Sequence, residues 1–334
     1  MSHNRTGSVS WFPESTAETS AITDTTYYYG IEQQPLDLGS VQMEWIQQYR
    51  NGYEAGLTHL GKTTAKNSRA FFPVNGVMYY LIMGDSVVKS GSSPDSIRTV
   101  SAATSSTLPT ITDRSEDNGG TATTRDEIVG NEVRNVSMLV DHTVPGLRAQ
   151  MAVNLAGIDF NTPATSTSIT PSFINSESSP YTGNADTVFE WDSDLGDSAT
   201  YPNASNDDLM TYLQSISLST GRVPLDKDVI NQAETEKLFN GGLFHTFTFR
   251  VPRGPTAVLW TDYKAKTLHN FRYKIFNTAT QYIEYNMTDA YIKDIKRPWD
   301  PRGGNVTPYY QVEGGVRSAS FEILDGIADS IYGD

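Results

Sequence analysis

The chain contains no cysteine. That excludes a disulfide scaffold, a thiolate zinc site and a cysteine nucleophile. Positive charge is scarce: 25 Lys and Arg stand against 39 Asp and Glu, a formal net charge of −14. A broad basic face for nucleic-acid phosphates is therefore not expected. No apolar run reaches the roughly 18 to 20 residues of a membrane span. The longest candidate, Phe71 to Met83, is interrupted by Pro73, Asn75 and Gly76. The first residues, Met1 to Ser8, carry no apolar segment, so no Sec-type signal peptide is expected. The sequence also lacks a G-x-S-x-G elbow, a G-x-G-x-x-G turn, a P-loop and an H-E-x-x-H pair. His3, His59, His142, His245 and His269 are scattered, and no two share metal-ligand spacing. We therefore expect no enzyme, no catalytic residue and no required cofactor.

What the chain does have is Ser, Thr, Asn, Gly and Tyr, which favour strands and loops over long helices. Acidity with few Lys suits a protein that stays soluble in high salt. It equally suits ordinary solubility through net charge. The expected fold class is mainly β: a β-barrel or sandwich, built as two related β domains with one or two short helices and long loop insertions.

The organisation follows from local patterns. Residues 1–26 read as a polar N-terminal arm carrying Trp11 and Phe12, too poor in apolar residues to bury itself. Residues 27–165 read as a first β domain, with 89–127 as an exposed, Ser- and Thr-rich insertion loop. Within it, Val77, Tyr80, Leu81 and Gly84 fall at helical spacing, with Asn75 to cap the start and Gly84 to end it; a buried strand is the competing reading of so short a run. Val136, Met138 and Val140, then Leu147, Ala149, Met151, Val153 and Leu155, alternate with polar residues and predict a half-buried hairpin. Residues 166–208 read as an acidic polar linker. Residues 209–334 read as a second β domain, with strand alternation at Ile216/Leu218, Phe247/Phe249, Phe271/Tyr273 and Ile283/Tyr285. Asn231 to Phe239 is a second helical candidate, and Gly314-Gly315 reads as a turn in the last strand pair. A short echo links Gly146-Leu147-Arg148 to Gly315-Val316-Arg317 and hints at a duplicated β unit.

One loop could hold a cation. Asp192, Asp194 and Asp197 alternate around Gly196, the kind of spacing that wraps oxygen ligands on Ca²⁺, though no glutamate completes an EF-hand. A solvated acidic loop is the plainer reading, and a weak Ca²⁺ or other cation site the sharper one. The many tyrosines, such as Tyr27-Tyr28-Tyr29, Tyr79-Tyr80 and Tyr309-Tyr310, could stack sugars, form subunit interfaces or pack across strands.

The order of these elements resembles the tail tube (major tail) proteins of long-tailed viruses. The likeness is one of layout: a polar arm, the Tyr29-Gly30 step, strands, the short helix at Val77 to Gly84, an insertion, the hairpin at Val133 to Phe160, and a second strand-rich half ending at Gly315 to Ile323. The acidity fits a virus of a haloarchaeal host. The resemblance implies a virion structural protein with itself as partner, in stacked rings around a channel. Other tail proteins would sit at the tube ends, and viral DNA would pass without specific binding. No membrane is involved, and synthesis is in the host cytoplasm. At this length two fused tube domains imply a trimeric ring with pseudo-sixfold symmetry, and one decorated domain a hexameric ring. Trp11 and Phe12 would then anchor the arm on the next ring. The alternative is a β-sandwich glycan-binding adhesin of a virion or cell surface.

Overall fold

The computed structural model describes residues 6–14, 26–32, 40–48, 57–84, 86–93, 95–103, 108–118, 123–143, 147–157, 159–161, 180–183, 187–192, 213–227, 237–253, 257–278, 280–297 and 308–332. The fold is mainly β, one large antiparallel sheet that is not closed. In chain order the strands are β1 (Thr6–Pro13), β2 (Ile31–Glu32), β3 (Ser40–Gln48), β4 (Leu57–Phe72), β5 (Ser86–Ser90), β6 (Ile97–Ser101), β7 (Ile111–Asn118), β8 (Thr123–Asp141), β9 (Gln150–Gly157), β10 (Asp159–Asn161), β11 (Val188–Asp192), β12 (Ser215–Lys227), β13 (Lys237–Pro252), β14 (His269–Phe276), β15 (Tyr282–Lys296) and β16 (Tyr309–Leu324). Two helices interrupt them, α1 (Val77–Met83) after β4 and α2 (Ala257–Ala265) after β13.

The pairing repeats. In the first half the neighbours run β1-β7-β8-β9-β4-β3, and in the second β11-β14-β15-β16-β13-β12, every pair antiparallel. Even the irregularities coincide. The β3–β4 ladder slips between Met43 and Trp45, and the β12–β13 ladder between Arg222 and Pro224. The β8–β9 ladder slips between Val133 and Asn135, and the β15–β16 ladder between Ile292 and Asp294. The β7–β8 ladder slips at Ile111/Asp113, and the β14–β15 ladder at His269/Phe271. Opposite that last slip the chain takes a positive φ in both halves, 63° at Gly130 and 56° at Asp289. Trp11 opposite Asp113 matches Trp191 opposite Phe271. Bulges fix register and re-aim strands, so their coincidence marks one unit used twice. The hairpin β5–β6 is the piece present only in the first copy among the described residues.

The two copies are not separate bodies. β8 of the first pairs with β12 of the second, and β6 crosses to pair with β16. One hydrophobic cluster runs through both, with α1 covering it: Tyr79 stacks on Phe321 at 4.5 Å and its hydroxyl meets that of Tyr285 at 2.7 Å. The opposite face of the shared sheet is bare. Ser217 and Ser219 lie beside Leu139, Ser137, Thr246 and Thr248, while Asn154 and Ser68 face each other further along. Its described charges near the junctions are Asp141, Asp294, Glu313, Arg250 and Lys296.

Several expectations need correction. Residues 6–13 are not an unburied arm: β1 is the edge strand of the first copy, with Val9, Trp11 and Phe12 inside. The insertion 89–127 is not an exposed loop. It contributes strands β6, β7 and part of β8, and it buries the polar Arg98, Thr112, Asp113 and Arg114 beside Val100, Leu108 and Ile111. Leu238 and Phe239 belong to β13 rather than to a helix, and Asn231 to Glu236 lie outside the described residues. Gly314-Gly315 is no turn but the middle of β16. A side chain at Gly314 would collide with the Tyr291 carbonyl and the Phe247 ring. The letter echo at Gly146 and Gly315 is out of step with the true repeat, in which Gly315 opposite Tyr291 stands where Ala156 stands opposite Glu132. Helix α1 forms where its spacing predicts it, but its cap is Gly76, with Asn75 Oδ1 accepting from the Val77 N–H at 3.2 Å.

Candidate functional site

Several buried polar side chains are tied to each other in networks. In the first copy, Asp113 accepts from the Tyr29 hydroxyl at 2.6 Å, from Arg69 Nη2 at 2.5 Å and from Asn67 Nδ2. The corresponding positions of the second copy hold rings instead. Trp191 lies on Phe271 with centroids 5.7 Å apart, and Phe247 meets Phe271 edge-on at 5.3 Å. One unit thus has two cores, one ionic and one aromatic, at the same place in the sheet. On the other face of β7, Arg114 Nε donates to Glu127 at 2.7 Å, and its guanidinium covers the Phe12 ring at 4.9 Å. Phe12 and Trp11 are therefore interior residues of their own chain, each 1% exposed, and not anchors offered to another subunit.

A second network bolts β6 to the C-terminal end. Arg98 donates to Asp325 at 3.1 Å and to Asp329 at 2.7 Å, and the Tyr332 hydroxyl and Gly76 N–H also donate to Asp325. Burial raises the Asp325 pKa, opposed by those hydrogen bonds and the Arg98 charge. Asp329 is pulled down, chiefly by the Ser96 hydroxyl, with Arg98 adding to it. Three histidines sit beside polar groups. His142 Nε2 lies 3.0 Å from the Tyr273 hydroxyl, and His269 lies 3.3 Å from Asp262. His245 Nδ1 sits 3.0 Å from Thr220 Oγ1, and burial with the Arg222 charge pushes its pKa to about 4. No nucleophile, base and orienting group converge among these contacts.

The acidic loop gives little more. Asp192 ends β11 opposite Asn270, while Asp194 and Asp197 lie outside the described residues. Among the described residues no cluster of three or more His, Asp or Glu is placed to hold a metal. No helix among them is long and apolar enough to cross a membrane.

The arrangement with functional content is the junction between the copies. β12 lies antiparallel on β8 from Ser215 opposite Asp141 to Gly221 opposite Asn135. The His142 N–H donates to the Gln214 carbonyl at 2.8 Å, which sets the parity of the ladder. Asn135 Nδ2 donates to Ser219 Oγ at 3.0 Å across it. At the β12 bulge, Arg222 reaches the end of α1, with Nε donating to the Ile82 carbonyl at 2.6 Å and Nη2 to that of Met83 at 2.8 Å. These are carbonyls left without helical partners at the C-terminal end, where a cation is favoured. Sequence reasoning did not find this junction. The only available signal was Arg222 itself, the first basic residue after Arg148.

No family model matches the chain, and no curated protein sequence matches it significantly.

Proposed function

We propose that the protein is a structural subunit that joins edge to edge into rings and stacks into a tube, as tail tube proteins of long-tailed viruses do, with DNA as the passing cargo. The observation that carries this reading is the duplication inside one open sheet. A unit that already joins to its own copy by strand pairing is built to repeat, and open sheet edges call for a partner. Eight strands of each chain run side by side from β15 to β3. Three chains give about 24 strands; at about 4.8 Å between strands and a tilt of about 40°, opposing backbones stand roughly 45–50 Å apart. That clears a duplex of about 20 Å with side chains on the wall. Two copies per chain favour a trimeric, pseudo-sixfold ring over a hexameric one.

The bare face of the sheet suits a channel wall. It offers Ser, Thr, Asn and Ala, three carboxylates and two cations near the junctions, so few groups could hold a phosphate. Virion localisation, other tail proteins at the tube ends and a salt-loving host belong to the same proposal. The glycan-binding adhesin loses support, because Tyr79, Tyr181, Tyr273 and Tyr285 are core residues and not stacking platforms. Negative-stain microscopy of the purified protein across a salt series tests the reading. Rings or tubes with a central hole are expected, and a monomer in every salt would refute it.

A further inference from the structure

Among the described residues the duplication leaves two edges unpaired. In the first copy β8 carries β12 beyond the end of β7. In the second copy the corresponding stretch of β15, Tyr291 to Lys296, pairs with β16 on one side and, among the described residues, with no strand on the other, since β14 ends its pairing at Ala290. At the far end of the sheet β3, the counterpart of β12, pairs with β4 alone among the described residues. The edges are complementary, because each is the copy of one half of a junction the chain already makes.

We infer that β3 of one subunit adds antiparallel to the β15 edge of the next, repeating the β8–β12 junction with Gln42 opposite Asp294, Val41 opposite Ile295 and Ser40 opposite Lys296. The register follows residue by residue. The matching bulges equate Met43 with Arg222 and Asp294 with Asn135, which carries Gly221 opposite Asn135 to Gln42 opposite Asp294. The polar pair of the internal junction is kept in kind: Asn135 with Ser219 becomes Asp294 with Ser40. The clamp changes. Where Arg222 meets the end of α1, the second copy has a hollow between α2 and β15 lined by Asp262, Tyr263, Lys264, Tyr291, Ile292 and Lys293.

This inference rests on the ring reading and supplies its chain-to-chain contact. The absence of native cysteine makes a clean test. By the parity of the internal junction, Gln42 with Asp294 and Ser40 with Lys296 are the closely spaced, non-hydrogen-bonded pairs, with Cα atoms about 4.5 Å apart, within disulfide range. The double variants Gln42→Cys with Asp294→Cys, and Ser40→Cys with Lys296→Cys, should form inter-subunit disulfides in most chains on mild oxidation and run as multimers without reductant. The out-of-register pair Val41→Cys with Asp294→Cys should link at least tenfold more slowly. A second variant, Val41→Pro, removes the backbone N–H that this register aims at Ile295, and should keep the circular dichroism spectrum while losing assembly. Rings in the microscope without in-register linkage would overturn this inference and leave the ring reading standing. Linked open chains that never close would uphold the pairing and sink the ring. Monomers without linkage would overturn both.

Discussion

Replacing Asp113 by Ala tests whether the ionic core of the first copy is as structural as the aromatic core of the second. Asp113 is 1% exposed and takes donors from Tyr29, Asn67 and two nitrogens of Arg69. Removing one partner of a buried ion pair costs about 3–5 kcal/mol, because the remaining charge stays desolvated. The buried Tyr29 and Asn67 donors each lose an acceptor, a cost of about 1–3 kcal/mol where no water replaces it, so the total belongs at the upper end of the first range. Phe271→Ala at the equivalent position should cost a similar 3–5 kcal/mol through a cavity. The physics differs and can be separated. In the first copy, Arg69→Met combined with Asp113→Leu should regain most of the loss, since an apolar replacement of a buried pair is often neutral or better. Urea unfolding followed by tryptophan fluorescence reads the effect. With a slope of about 3 kcal/mol per molar, the Asp113→Ala midpoint should fall by more than about 1 M. A shift corresponding to under about 1 kcal/mol, or a double variant no better than the single, would refute the argument.

Three further outcomes follow from the same contacts. His245 has its pKa depressed to about 4, below its ordinary 6.5, so its contribution is complete above pH 6.5 and is lost as pH falls towards 4. That loss is about 3 kcal/mol, and His245→Gln should flatten this limb of a stability-versus-pH curve; an unchanged limb would clear His245 of the role. Arg222→Ala should destabilise by about 2–3 kcal/mol by removing the charged donor to the Ile82 and Met83 carbonyls, measured by thermal unfolding, and a change below about 0.5 kcal/mol would contradict the clamp. Deleting residues 1–13 should unfold or strongly destabilise the subunit itself, because β1 and the buried Trp11 go with it; a deletion that leaves stability intact while weakening only assembly would restore the arm as an external anchor.

The sequence was readable where burial is apolar and one-sided. Met151, Val153 and Leu155 alternate with exposed or half-buried neighbours in β9, and the period survives untouched. Helix α1 was readable as a compact apolar run between Asn75 and Gly84, all of it buried. Strands β6 and β7 were not, because Arg98, Asp113 and Arg114 stand inward beside Val100 and Ile111, and the burial of such charges depends on partners elsewhere in the chain. Helix α2 escaped notice because only Leu259 among its described side chains is buried, so it carries no apolar stripe. The duplication was suspected from letters that do not correspond. Its true correspondences equate Asn67, Arg69 and Asp113 with Phe247, Phe249 and Phe271, and such pairs share geometry with no likeness of composition. The junction between the copies, a Ser-rich ladder, leaves no local signature beyond Arg222, the first basic residue after Arg148.

The most direct test of the account is the count of chains and lobes in a single ring. Native mass spectrometry of the smallest assembled species, with electron-microscopy averages viewed down its axis, measures both. Three chains forming six similar lobes around an open centre are expected from a unit used twice per chain. A closed ring of six chains with twelve lobes, or a species whose two copies face each other across a closed dimer, would contradict it.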